Sequence, residues 1–147
     1  MSFYHYLKSH AEENPDRPAI IEGDCTISYE ELCEQVESFA ASLSELPLNT
    51  NSKIGLLCLN QKEYLVAYFG SLLKGLPVIP FNFLLKTEDL AFIAQDADID
   101  TLVIDSTFAK PEVSPFFKFF SNIILVGAAN PDQVLEGTLR FEDFLKS

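Results

Sequence analysis

Hydrophobic side chains in the first third of the chain recur every three or four positions, a spacing that predicts amphipathic helices. One helix is expected over Ser2–Glu13, because Asn14-Pro15 stops helical propagation. A second is expected after Ser28, since Ser28-Tyr-Glu-Glu31 matches a capping box, in which both side chains satisfy backbone N–H groups. Its apolar stripe comprises Tyr29, Leu32, Val36, Phe39, Ala40 and Leu43.

Between these two helices the pattern changes to short apolar runs around a turn. Ala19–Ile21 and Thr26–Ser28 flank the dipeptide Gly23-Asp24. Glycine adopts the positive φ of a tight turn at little cost, so this arrangement predicts a short N-terminal β-hairpin.

From residue 54 onward, continuous apolar runs alternate with helical segments, and the runs begin about 21–24 residues apart. Such runs are typical of strands covered on both faces. Helices are expected between them, over Gln61–Lys74 behind an Asn60 cap and over Glu88–Asp96 behind a Thr87 cap. The repeated βαβ order predicts an α/β fold with a three-layer, mostly parallel sheet and flanking helices. The four runs are Ile54–Leu59, Pro77–Pro80, Thr101–Ile104 and Asn122–Val126.

The last third of the chain is less regular. Pro111 and Pro115 leave room for only a short helix around Phe116–Phe120, and Thr138–Leu145 has the pattern of a further helix start. The four phenylalanines of Phe116–Phe120 fit ordinary core contacts. Contact with a region outside this chain, or with a membrane, remains open for them.

The length fits a single domain over residues 1–147, the one to which the α/β pattern belongs, and 48% hydrophobic with 22% charged residues indicates a globular protein. The net charge is −12, and residues 1–50 hold ten acidic against two basic side chains. Nucleic acid and anionic membranes are therefore poor partners. The sequence contains neither a secretory leader pattern nor about 18 successive apolar residues, so a cytoplasmic location without a membrane span is expected.

The cysteines and glycines offer little catalytic chemistry. Cys25, Cys33 and Cys58 fit no zinc spacing and are expected to be buried, reduced thiols. Gly70 and Gly75 have the six-residue spacing of a phosphate-binding loop, but Leu76-Pro77 stands where lysine and a hydroxyl residue should follow. Gly75 is instead predicted to end a helix in the left-handed conformation.

The histidines and aspartates give equally weak signals. His5 and His10 lie five apart on the first helix, so they are off one another's face, and a pairing of either with Cys25 has little support. Asp96, Asp98 and Asp100 alternate as in some calcium loops, but the rest of that motif is missing, which favours a role in a turn. A receiver-type phosphoacceptor needs several acids at strand ends, and only Asp105 is suitably placed. No catalytic, cofactor-binding or metal-binding residue is predicted.

Five segments in register nevertheless resemble the N-terminal part of adenylate-forming (AMP-dependent) acyl-CoA synthetases and acyl-AMP ligases. The resemblance covers about residues 10 to 126. It departs from the usual pattern at Phe83, where proline is common, and at Gly75-Leu-Pro77, where an alanine-rich form is commoner. The segments are Asn14–Ile20, Thr26–Leu32, Lys53–Asn60, Leu72–Leu90 and Ile99–Asp105.

This resemblance implies a truncated N-terminal subdomain of a larger fatty acid–CoA ligase, with the rest of that ligase as its partner. The parent would use ATP, Mg²⁺ and CoA to form an acyl-adenylate and then an acyl-CoA. The motifs that bind them in the family lie beyond Ser147, so the chain alone is expected to bind no cofactor and to be inactive. Pro80–Leu85 is expected to pack between strand and helix, or to lie near the acyl or pantetheine tunnel of the complete enzyme.

Three alternatives stay open at this point. A homodimer could form through surfaces that truncation exposes. The chain could be a stand-alone, non-catalytic binding or interaction module on the same scaffold. It could also be an unrelated flavodoxin-like cofactor binder, which would carry flavin absorbance.

Overall fold

A parallel five-stranded sheet forms the centre of the protein, in a computed structural model that describes residues 3–110, 113–127 and 137–145. Its strand order is β4-β3-β5-β6-β7, and every neighbouring pair is parallel. A separate antiparallel pair, β1-β2, forms the predicted hairpin. The strands are β1 (Pro18–Glu22), β2 (Cys25–Ser28), β3 (Ile54–Leu57), β4 (Val78–Pro80), β5 (Thr101–Asp105), β6 (Asn122–Val126) and β7 (Leu139–Arg140).

Helices cover both faces of this sheet, which confirms the predicted three-layer α/β architecture. They are α1 (Phe3–Glu13), α2 (Tyr29–Leu43), α3 (Lys62–Leu73), α4 (Thr87–Asp96), α5 (Ser114–Phe117) and α6 (Phe141–Leu145). Ser2, at the predicted start of the first helix, and Pro111 lie outside the described residues.

The two faces of the sheet bury different side chains because successive strand residues point in opposite directions. Leu56, Val103 and Ile124 pack with α1, α2, α3, α6 and the hairpin. Leu57 and Ile104 pack with α4 and α5 on the other face. Continuous apolar runs in the sequence therefore correspond to strands with two covered faces.

The predicted start of α2 and end of α3 are both confirmed. At α2, Ser28 Oγ accepts from the Glu31 N–H at 3.1 Å, while a Glu31 carboxylate oxygen accepts from the Ser28 N–H at 2.8 Å. At the end of α3, Gly75 has φ +73°, and its N–H donates to the Leu72 carbonyl at 2.9 Å. These local signals therefore set the helix ends as the sequence indicates.

The predicted caps of the other two helices are wrong. The residue before α3 is Gln61 rather than Asn60, and its side chain makes no capping bond. Instead, Glu22 on the hairpin accepts from the Lys62 N–H at 3.1 Å, so a side chain 40 residues away satisfies the helix start. Before α4, Lys86 occupies the cap position, and Thr87 is the first helical residue.

Asp100 holds together the amino ends of three strands. Its carboxylate accepts from the Ser52 hydroxyl at 2.6 Å and from the Lys53 N–H at 3.1 Å, just before β3. Its carbonyl accepts from the Ser121 and Asn122 N–H groups at the start of β6. Asp98, the neighbouring aspartate, has φ +53° after α4. Asp98 and Asp100 thus have the turn role that was predicted for them.

The end of the chain differs in detail from the prediction. Thr138–Leu145 was expected to be one helix start, but residues 139 and 140 form the short strand β7 beside β6, and α6 follows. Phe141 and Phe144 of α6 pack against the ring of Phe39, with centroids 5.6 and 5.1 Å away. The Ser42 hydroxyl donates to the Phe144 carbonyl. These contacts fix the last described helix onto α2.

Two further expectations on the sheet and its crossovers need correction. The short helix α5 begins at Ser114, with proline in its first turn, and not at Phe116. Phe116, Phe117 and Phe120 are buried, which fits the core interpretation of these rings. Strand β4 is the edge of the sheet and is only partly buried, whereas burial on both faces was expected.

Candidate functional site

The carboxyl ends of β3 and β5 form the place where this type of sheet binds ligands. From β3 the chain runs to β4 on one side, and then returns to β5 on the other side. The connections therefore diverge between β3 and β5, which makes this edge the topological switch point of the sheet. The residues that leave the strands here are Cys58, Leu59 and Asn60 after β3, and Ser106 after β5.

Asp105, the last residue of β5, is the acidic group at this edge. It is 6% exposed, and its carboxylate accepts from the Thr107 N–H at 2.8 Å, which begins the 3-10 turn Ser106–Phe108. Among the described residues, no group of three His, Cys, Asp or Glu side chains could hold a metal ion. The structure therefore gives Asp105 a capping role and assembles no phosphoacceptor cluster around it in the described part of the chain.

The thiol of Cys58 lies beside Asp105 but is not set up as a nucleophile. Its Sγ donates to the Val103 carbonyl at 3.6 Å. Burial, and next the negative charge of Asp105, raise the pKa of this thiol to about 12. Since the thiolate is the nucleophilic form, Cys58 is unreactive at neutral pH.

The other candidate groups are separated from this edge. Burial also raises the pKa of Cys33, which lies under α1 and donates to the Leu7 carbonyl at 3.7 Å. Cys25 is exposed on β2, so the expectation of three buried thiols is wrong for this residue. The ring of His10 packs on Tyr29 at 5.3 Å, and within residues 3–110 neither histidine is hydrogen-bonded to Cys25.

The glycine pair on α3 does not form a phosphate cradle. Gly70 lies inside the helix, where an added Cβ would meet the Phe39 ring at 2.6 Å. Gly75 lies at the carboxyl end of α3, and phosphates bind at amino ends of helices. Gly70 and Gly75 therefore do not form a phosphate-binding loop.

The loop after β4 presents apolar side chains at the same edge. Phe81 is buried, but Phe83, Leu84 and Leu85 are exposed, with Leu84 81% exposed. The expectation that Pro80–Leu85 simply packs between strand and helix is therefore wrong for its last three residues. The sequence signal that could have located this exposure is Asn82, a residue that stabilises turns.

A second concave region lies between the hairpin and the start of α3. It is a cleft of about 330 Å³, lined by hairpin residues on one side and by the first turns of α3 on the other. Glu22 bridges the two sides through its bond to the Lys62 N–H. No local sequence pattern indicates this cleft, since its two sides meet only in the folded chain. Its lining residues are Ile20, Ile21, Glu22, Asn60, Gln61, Lys62, Tyr64 and Leu65.

Comparison with known proteins identifies the family of this chain, because the family model described as "AMP-binding enzyme" matches residues 7–137. The chain belongs to the AMP-binding enzyme family. This confirms the resemblance to adenylate-forming acyl-CoA synthetases.

Relatives of this AMP-binding family protein include CoA ligases. It is 34% identical, over 99 residues, to the long-chain-fatty-acid–CoA ligase of Haemophilus influenzae, a match that covers 67% of the chain and 18% of the ligase. It is 28% identical to bacitracin synthase 1 of Bacillus licheniformis over 136 residues, which are 92% of the chain and 2% of the synthase. The chain thus spans less than a fifth of these relatives.

Solved structures show the same fold. Coronafacic acid ligase from Pectobacterium brasiliense superposes on the whole chain with a TM-score of 0.90 at 16% identity, and 30% of that ligase is covered. A benzoate CoA ligase from Burkholderia xenovorans LB400 gives a TM-score of 0.84 at 21% identity over the whole chain and 28% of the ligase. The described part of this chain contains no helix long and apolar enough to cross a bilayer.

Proposed function

We propose that residues 1–147 are one α/β domain that serves as the N-terminal part of an ATP-dependent carboxylate–CoA ligase acting on fatty acids. The observation that carries this proposal is the family match over residues 7–137, together with relatives that are named as fatty-acid–CoA ligases. Three free cysteines fit a cytoplasmic location, which is part of the proposal.

The chemistry of the complete ligase explains which steps this domain and the rest of the ligase would each support. A carboxylate is a poor electrophile, so the ligase joins it to AMP, with release of pyrophosphate, before CoA displaces AMP to give the thioester. ATP, Mg²⁺ and CoA would be held by the rest of the ligase, because the described residues of this chain offer no phosphate cradle and no metal cluster. This domain supplies a packed scaffold, and alone it is expected to be inactive.

A chimera tests the proposal directly. The region of the Haemophilus influenzae ligase that matches this chain is replaced by the corresponding residues of the chain, and acyl-CoA formation from a long-chain fatty acid is measured. We expect activity from the chimera. We expect no ATP–pyrophosphate exchange from the 147-residue chain alone.

Two outcomes would contradict the proposal. A chimera that folds, as judged by cooperative thermal unfolding, but forms no acyl-CoA would show that this domain does not fulfil the ligase role. Exchange by the short chain would show that it is itself a catalyst. The unmodified Haemophilus ligase is the positive control.

A further inference from the structure

The carboxyl edge of the sheet carries apolar side chains from three loops, four of them exposed and one, Phe108, half-buried against the core. We call this set the apolar rim, and it consists of Leu59, Phe83, Leu84, Leu85 and Phe108. Strands β3 and β4 pair Leu56 with Pro80, so Leu59 and Phe83 leave the same end of the sheet three residues later. Phe83 stacks on Phe108, which follows β5, with ring centroids 5.6 Å apart.

The apolar rim is held in shape by its own hydrogen bonds. The Asn82 side chain accepts from the Leu84 N–H at 3.0 Å, and the Asn82 carbonyl accepts from the Leu85 N–H at 3.1 Å. This turn holds Leu84 in the solvent, where it is 81% exposed. Exposed apolar groups that lie side by side mark an interaction surface, whereas singly exposed apolar residues are ordinary.

Charge distinguishes the rim from the rest of the surface. The chain carries 22 acidic and 10 basic residues, but none of them falls in residues 54–61, 76–85 or 106–109. These three segments provide every residue of the rim. Protein interfaces have cores that are depleted in charge and enriched in aromatic side chains, which favours a polypeptide partner over an anionic ligand.

We propose that the apolar rim is the surface on which the remainder of an AMP-binding ligase docks. The proposal rests on the proposed function and deepens it by assigning the contact surface. The occupant follows from the comparisons, because the matched region is 18% of the Haemophilus relative and 30% of coronafacic acid ligase. This chain therefore corresponds to a small part of these ligases. The uncharged edge of its sheet is the surface suited to contact with the remainder of such a ligase.

The test uses docking between separate polypeptides. The 147-residue chain is co-expressed with a tagged Haemophilus influenzae ligase that lacks the matched region, and the captured complex is quantified by native mass spectrometry. Wild-type chain is expected to be captured. Leu84→Asp is expected to reduce capture about tenfold or more, as loss of an interface anchor does.

A matched control separates docking from folding. Phe3→Asp changes a residue that is 68% exposed on α1, away from the rim, and it should leave capture unchanged. Both variants should unfold at the same temperature as the wild-type chain, since neither side chain belongs to its core. A Leu84→Asp chain that unfolds at a lower temperature would show that the rim stabilises the isolated domain, and would overturn the proposal.

The remaining outcomes are also decisive. If Leu84→Asp leaves capture unchanged, the rim is not the docking surface, but the proposed function stands. Absence of capture, when the covalent chimera is active, has the same meaning. If the chain alone forms a dimer that Leu84→Asp abolishes, the rim binds a second copy, which overturns the proposal. If the chain sediments with phosphatidylcholine vesicles and Leu84→Asp abolishes this, the rim binds a membrane, which also overturns it. An inactive but folded chimera would instead remove the function on which the proposal rests.

Discussion

Gly70 shows how a single residue allows α2 and α3 to approach one another. Its Cα lies so close to Phe39 that a methyl group would contact the ring at 2.6 Å, well inside ordinary packing distance. Phe39 is fully buried and also contacts α6. The close approach at this position therefore supports the whole helical layer on one face of the sheet.

We expect Gly70→Ala to lower the free energy of unfolding by about 1–2 kcal/mol, because overpacking outweighs the better helix propensity of alanine. Urea denaturation measures this change. In a double-mutant cycle with Phe39→Leu, which makes room for the methyl group, the two substitutions should cost less together than the sum of each alone. A Gly70→Ala protein more stable than wild type would contradict the packing explanation.

Local signals predicted some residue roles and missed others for a physical reason. The capping box at Ser28 and the left-handed Gly75 depend on neighbours within a few positions, so the sequence shows them. The cap of α3 depends on Glu22, 40 residues earlier, and only the folded hairpin brings it to Lys62. The exposure of Cys25 likewise depends on how the hairpin is placed and not on its neighbours.

At the scale of elements, α1 is attached to α2 through one carboxylate. The Tyr4 hydroxyl and the Lys8 ammonium both donate to Glu37, the latter at 2.7 Å. These bonds lower the pKa of Glu37 from its ordinary value of 4.5, the bond from Lys8 first and that from Tyr4 second. The bond to Glu37, and next the charge of Glu37, raise the pKa of Lys8. Glu12 and Cys33 are the other ionisable groups that act on this cluster.

The sign of the resulting pH dependence follows from the lowered pKa. The unfolded chain binds a proton at Glu37 near pH 4.5 while the folded chain does not, so this contribution is present above 4.5 and is lost as pH falls through the lowered value. We expect Glu37→Gln to flatten the acid side of the stability profile, measured by urea unfolding from neutral pH downward. Glu34→Gln, on the exposed face of α2, is the control. Parallel acid limbs for wild type and Glu37→Gln would refute this assignment.

Long apolar runs predicted the elements that lie in the middle of the sheet, and short elements were harder. Strands β3, β5 and β6 bury side chains on both faces, so their sequences are continuous apolar runs. The two residues of β7 include Arg140 and are exposed, and they form a strand only because β6 lies beside them. Pairing of this kind is a tertiary effect, which periodicity does not report.

At the scale of the whole molecule, the net charge of −12 opposes the compact state. Lys8 forms an ion pair with Glu37, but the sequence holds 22 acidic against 10 basic side chains. Most of that excess lies in residues 1–50, which form α1, the hairpin and α2. Repulsion between acidic side chains is therefore concentrated in the helical layer that contains α1 and α2 and against which α6 packs.

Raising NaCl from about 0.01 M to about 0.15 M shortens the Debye length from roughly 30 Å to roughly 8 Å. We expect the melting temperature to rise by about 2–4 °C, which corresponds to about 1 kcal/mol for a chain of this size. Differential scanning calorimetry measures it. The double variant Glu30→Gln, Glu34→Gln should show a smaller rise, and a melting temperature that falls with salt would exclude repulsion as the cause.

The fold class was predictable from the sequence, but the apolar rim was not. Its members come from three loops after three strands, so no window of sequence contains it. The Asn82 turn that exposes Leu84 was treated as part of a packed connection, because apolar residues in a run favour burial. Exposed apolar residues on this turn indicate a binding partner. A single sequence contains no pattern that distinguishes them from apolar residues that are buried.

The bond between Ser42 and Phe144 joins residues 102 positions apart, and this separation has a consequence for synthesis on the ribosome. Translation at roughly 5–20 residues per second leaves about 5–20 s between the appearance of α2 and that of α6. During this interval Phe39 lacks the two rings that later cover it. A nascent chain halted before α6 therefore exposes the apolar face of α2, and chaperones can bind that face until α6 packs on it.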